Sequence, residues 1–161
     1  MRAGRTIAQI RVRNLQRKIA VNVAELQQFA AKALRACLRL HRRKPTDLTR
    51  LSEIFVLLVS DRRMASLHRQ FLNQTGPTDV LTFQHGEIFI SVETARKHAR
   101  TFGNSLAREL RLYIVHGLLH LHGFDDRKRA DAHRMAKIQK RILTATNERR
   151  RSISIASPRL N

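Results

Sequence analysis

Residues 116–126 read His-Gly-Leu-Leu-His-Leu-His-Gly-Phe-Asp-Asp, and several side chains in that run could do chemistry together. His116 and His120 stand four residues apart at the end of an apolar, helix-length segment, so one helical turn aims both imidazoles at one point. Gly123 ends the helix and turns the chain back, carrying Asp125 and Asp126 toward that point. Two imidazoles and a carboxylate leave a fourth position open, which is how a catalytic zinc site is built, because the open position takes water or substrate. A histidine pair at this spacing arises by chance in many helices, the more so in a chain with eight histidines. The specific signal is its combination with a helix-ending glycine and paired aspartates. Gly117 occupies the place where an HExxH metallopeptidase carries its general-base glutamate, so a peptidase reading lacks its key residue.

The elements that must position these groups follow from periodicity. The metal-bearing helix spans about 105–121. Glu109 lies on the histidine stripe but two turns from His116, a rise of roughly 10 Å, so it cannot share the same ion. His122 falls on the opposite side of the helix and is not expected to ligate, and His98 and His133 read as surface histidines. A last helix is expected over about 129–145. Upstream, Ile7 to Val12 alternates as an edge-like strand, with a basic turn around Asn14 to Lys18. Apolar positions 23, 26, 30, 33, 37 and 40 predict an amphipathic helix over about 22–40, with Lys32, Arg35 and Arg39 on its other face. Arg42-Arg43-Lys44-Pro45 ends it. Ile54 to Val59 is apolar on both faces, a central buried strand. Ser60-Asp61 caps a helix to about Phe71, and Pro77-Thr78-Asp79 is a turn into strand 80–83. Gly86 separates that strand from 87–90 in a hairpin-like pair, and a helix follows over 92–102. The fold class is α+β: a small mixed sheet of about four strands with about five helices. Residues 1–147 form one domain, and 148–161, with three consecutive arginines, form a basic disordered tail.

Charge says what the partner is. Thirty-two Lys and Arg against twelve acids give +20 on 161 residues, which costs stability by self-repulsion and implies a polyanion, nucleic acid before membrane surface. The first 44 residues carry 12 of those cations and one acid, Glu25. One Tyr, seven Phe and no Trp argue against a row of base-stacking platforms. Cys37 is the only cysteine, which excludes an intrachain disulfide and a cysteine zinc site and fits a reducing cytoplasm. No apolar run reaches the roughly 20 residues of a membrane span.

Residues 116–126 resemble the H-G-x-L-H-L-x-G-[YF]-D-H signature of the YbeY endoribonuclease family. Asn14-Leu15-Gln16-Arg17 is similar to that family's N-x-Q-R, and residues 77–83 (PTDVLTF) to its P-T-D-V-L-S-F strand. Residues 86–91 (GEIFIS) resemble G-D-I-x-I-x, Glu109-Leu110 resembles the E-L opening of the metal helix, and Met135 sits where the family has Met. The likeness covers about 7–143. It implies a single-strand-specific, metal-dependent endoribonuclease of small-subunit ribosomal RNA 3′ maturation and ribosome quality control. One zinc per chain would be held by His116, His120 and Asp126, the last at the place of the family's third histidine. Asp125 would then cap the turn or orient a ligand, and Thr78 and Asp79 would line a groove near a sheet edge. The partners implied are single-stranded RNA, ribosomal RNA and the small subunit, held electrostatically by the cations of 13–18 and 32–44. The family's Tyr-Arg pair aligns with Phe71-Leu72, so its arginine is absent there, and Arg62 or Arg69 are the candidates to replace it. The rival is a non-catalytic ribosome-assembly factor with a structural zinc.

Overall fold

A strand apolar on both faces must be covered on both sides, and the run at 54–59 is. The computed structural model describes residues 7–155 apart from 75 and 77, with side chains described to residue 146. In it β1 (Gln9–Asn14), β2 (Glu53–Val59), β3 (Val80–Phe83) and β4 (Glu87–Ser91) form one mixed sheet in the order β1-β2-β4-β3. β1 and β4 each run parallel to β2, and β3 returns antiparallel on β4 with Val80 opposite Ile90. Ile54, Val56 and Leu58 face the main core with Ile88 and Ile90, while Val59 and Phe89 face a smaller cluster on the other side.

The main core is closed by α1 (Val23–Leu38), α5 (Leu106–Leu121) and α6 (Arg129–Ile155), which pack on one another. α3 (Asp61–Leu72) covers the opposite face with Met64 and Leu67, and α4 (Val92–Phe102) lies against α5. Side-chain caps set the helix starts: Asn22, Ser60, Ser91 and Ser105 each accept from the backbone N–H three residues on. Cys37 is fully buried in this core, and burial pushes its thiol up to about 12.

Two elements differ from the sequence reading. The single turn α2 (Asp47–Arg50), closed by a reciprocal cap between Thr46 and Thr49, is too short to leave a periodicity. α6 runs past 145 to Ile155, so the backbone of 148–155, expected in the tail, is helical; residues 146–155 contain neither Gly nor Pro to stop it. Residues 156–161 and Pro77 lie outside the described residues.

α5 approaches the sheet closely at Gly117. A Cβ there would stand 2.8 Å from Ile88 Cγ2 and 2.9 Å from its Cδ1, and Ile88 is a fully buried, β-branched strand residue with nowhere to move. Gly117→Ala is therefore expected to destabilise by about 1–2 kcal/mol, since overpacking outweighs the gain of about 1 kcal/mol in helix propensity. A denaturant midpoint that rises in this variant would contradict the close approach.

Candidate metal centre

The centre begins with how α5 ends. Gly123, at φ +83°, donates to His120 O at 3.0 Å and Phe124 N–H donates to Leu119 O at 3.0 Å, a Schellman closure that needs the left-handed residue at 123. The chain reverses over one turn and brings Asp126 back beside the helix. His116 Nε2 lies 3.5 Å and His120 Nε2 3.7 Å from Asp126 Oδ2, and the two imidazole nitrogens are 3.0 Å apart. Ligand atoms of the three residues all lie within 4.8 Å of one another. Donors about 2.0–2.2 Å from a tetrahedral ion stand about 3.3–3.6 Å from each other, and the separations of 3.0, 3.5 and 3.7 Å here bracket that spacing, so the set can close on one metal ion.

The other ring nitrogens hold each imidazole in place. His120 Nδ1–H donates to the Phe124 carbonyl at 3.1 Å, and His116 Nδ1–H donates to Gln139 Oε1 at 2.7 Å. With Nδ1 engaged in this way, each ring turns its Nε2 toward the other at 3.0 Å, a spacing that calls for a proton or a metal ion between them. Burial, and then the neighbouring His116, hold His120 below the ordinary imidazole range. The geometry can hold a metal ion. It is also open: the histidine side chains are 24% and 30% exposed and Asp126 41%.

The remaining expected residues fall away from the ligand set. Asp125 is clamped by Arg127, with Oδ2 2.7 Å from Nη2 and 2.8 Å from Nε, and these bonds hold its carboxyl down at about 2. His122 is 2% exposed and serves as an anchor: Nε2–H donates to Leu40 O at 2.8 Å and Nδ1 accepts from the Thr46 hydroxyl at 2.8 Å. Glu109 is buried, accepts from Asn104 Nδ2 at 2.9 Å and interacts with Tyr113. His133 is exposed, but His98 is half-buried against the Tyr113 hydroxyl at 2.6 Å, a correction to its surface reading. Gln16, within the N-x-Q-R block, is buried and closes the turn after β1 by bonding both Ile19 N and Ile19 O.

Sequence reasoning missed the groups that hold the candidate ligands. Gln139 lies on α6 one turn beyond buried Met135, and a polar residue in that stripe was the available signal. Arg42 left no signal at all: its Nη2 donates to Gly123 O at 2.8 Å and its guanidinium lies 4.1 Å from the Phe124 ring centroid.

The centre lies in a cleft of about 340 Å³ lined by His116, His120, Asp47, Gln84 and edge strand β3 at Val80, Leu81 and Thr82. Asp79 starts that strand, its carboxylate accepting from Val80 N–H at 2.8 Å and its carbonyl from Ser91 N–H at 3.0 Å. Arg62 and Arg69, both exposed on α3, are not among the residues lining this cleft. No helix among the described residues is long and apolar enough to cross a membrane.

Similarity to known proteins runs through these same elements. The model of the family described as Endoribonuclease YbeY matches residues 11–147. A protein named Endoribonuclease YbeY from Anaeromyxobacter sp. (strain Fw109-5) is 38% identical over 104 residues, which is 58% of this chain and 54% of that protein. Its namesake from Anaeromyxobacter dehalogenans is 36% identical over 69% of this chain and 65% of its own length, so the match spans just over half to two thirds of these relatives. The one from Thermus thermophilus is 37% identical over 56% of this chain and 73% of its own. A Thermotoga maritima protein whose structure was determined in solution superposes with a TM-score of 0.62 at 27% identity, covering 94% of this chain and 99% of that one. With the family model spanning the sheet, the metal helix and the Gln139 helix, the chain belongs to the YbeY endoribonuclease family.

Proposed function

We propose that this protein is a zinc-dependent, single-strand-specific endoribonuclease that acts in the cytoplasm on small-subunit ribosomal RNA, in 3′ end maturation and ribosome quality control. In this reading residues 1–147 are the catalytic unit, and His116, His120 and Asp126 hold one zinc per chain and form the catalytic centre. The observation that carries it is the pair of Nε2 atoms 3.0 Å apart beside Asp126, at the mouth of an open cleft, in a chain of this family. Zinc, when bound, supplies Lewis acidity against the negative charge that builds on the oxygens around phosphorus. The chain's own part is orientation: Gln139 and the Phe124 carbonyl hold the rings through Nδ1, and the Gly123 turn delivers Asp126. Position 117 faces Ile88, so a base in the peptidase manner has no place there. Asp47 is the carboxylate lining the cleft among the described residues.

Leu72 at the family's arginine position, with Arg62 and Arg69 outside the cleft lining, favours one alternative: an RNA-binding assembly factor with structural zinc. Purified protein incubated with single-stranded and duplex RNA separates the two. Cleavage of the single strand, stopped by a chelator and restored by zinc, is the expected result. Binding without cleavage would overturn the nuclease reading, and cleavage indifferent to chelation would overturn its dependence on zinc.

A further inference from the structure

The segment between α1 and α2 is bolted to the metal turn at three points. His122 holds Leu40 O and Thr46 Oγ1, each at 2.8 Å, and Arg42 holds Gly123 O at 2.8 Å while stacking on Phe124. Between these bolts His41, Arg43 and Lys44 are exposed. With Arg42 they line a second cleft of about 600 Å³, which shares Asp47 and Leu121 with the metal cleft and so lies next to it. Three permanent cations face one carboxylate there, and neither Arg43 nor Lys44 is in an ion pair among the described residues. Cations left unpaired on a fixed loop are a cost to the fold that an anionic ligand would relieve. The stripe on α1 is less suited to that role, because Arg35 lines a separate depression with β1 that has no residue in common with the metal cleft.

We infer that the 41–47 segment is the backbone-holding wall of the substrate cleft, and that Arg43 and Lys44 bind phosphates of a single strand whose neighbouring phosphodiester lies at the metal centre. This rests on the nuclease reading for the second half of the statement and on the cleft geometry for the first. It places the cationic function that the family arginine position lacks here on a different element, one tied directly to the turn that carries Asp126. The segment reads charge and not sequence, because the contacts it offers are to phosphate.

The test pairs two double variants of the 161-residue chain, loaded with zinc, that lose equal charge: Arg43→Gln with Lys44→Gln, and Arg62→Gln with Arg69→Gln. The probe is single-stranded DNA, which presents the same backbone charge without being a ribonuclease substrate. The loop variant is expected to flatten the slope of log K against log salt by about 1.4, two contacts at about 0.7 each, and to weaken binding about tenfold at low salt. The α3 variant should change the slope by less than half as much, and zinc content should be the same in both. In RNA cleavage the loop variant should raise KM and leave kcat within about twofold, the mark of lost uniform binding. Equal slope changes in the two variants, or none in the loop variant, would overturn the assignment. So would displacement of the DNA by polyglutamate at equal charge concentration, which would mark a site for acidic polypeptides. If wild-type protein fails to cut RNA but the slopes separate as expected, the nuclease reading fails and the phosphate-binding wall stands.

Discussion

Replacing His116 or His120 by alanine is expected to reduce zinc from one ion per chain to a substoichiometric trace and to abolish RNA cleavage, while the fold survives. Two donors remain in either variant, too few to hold a structural or catalytic ion at ordinary concentrations. The cost to folding is modest, because both rings sit at the margin of the core and not in it. Zinc-free wild type and His120→Ala should accordingly melt within a few degrees of each other, and only wild type should gain on adding zinc, by linkage between binding and folding. Asp126→His should keep the ion, since it replaces an oxygen donor with a third imidazole at the same turn. Asp125→Asn should cost less metal than Asp126→Asn, because Asp125 is committed to Arg127. Elemental analysis after exhaustive dialysis checks each of these variants, and full zinc retention in His116→Ala would remove the ligand assignment.

The parts of this centre that are legible in the sequence are those governed by local rules. The four-residue spacing of His116 and His120, the left-handed glycine and the returning carboxylates are all set within eleven residues, and helix and turn geometry suffice to bring them together. The sheet is legible for the same reason: β2 is apolar on both faces and both are covered, and Gly86 closes the β3–β4 hairpin. What sequence could not show is how distant segments lock the centre. Gln139 reaches His116 across 23 positions, Arg42 reaches Gly123 across 81, and His122 reaches Leu40 across 82. Such contacts leave no periodicity, and a basic run such as 42–44 reads the same whether it floats in solvent or is pinned to a metal turn. His98 reads as exposed because it follows Arg96 and Lys97, whereas α4 turns it onto Tyr113 of α5.

His122 supplies the sharpest contrast with the ligand histidines, because it is the third histidine of the same run and its ring works in the opposite way. Its two nitrogens are both consumed by the 40–46 segment, one as donor and one as acceptor, which requires the neutral ring; burial, together with the nearby Arg42 charge, keeps it neutral by lowering its pKa. His122→Ala leaves the half-buried Leu40 carbonyl without that donor and opens a cavity the size of an imidazole. The expected loss is about 2–4 kcal/mol, chiefly the large-to-small substitution of a buried side chain, with a smaller part from the lost hydrogen bonds. That is a large share of the stability of an ordinary domain, on the order of 5–15 kcal/mol, so the variant should unfold at much lower denaturant. Its folded fraction should nevertheless bind zinc in unit stoichiometry, since His116, His120 and Asp126 are untouched. The two histidine classes therefore separate on two axes: His116→Ala loses metal and keeps the fold, whereas His122→Ala loses stability and keeps the metal. Equilibrium unfolding with and without zinc, read beside metal content, decides it. A His122→Ala protein as stable as wild type but empty of zinc would make His122 a ligand and dismantle the anchoring of the 40–46 segment together with it.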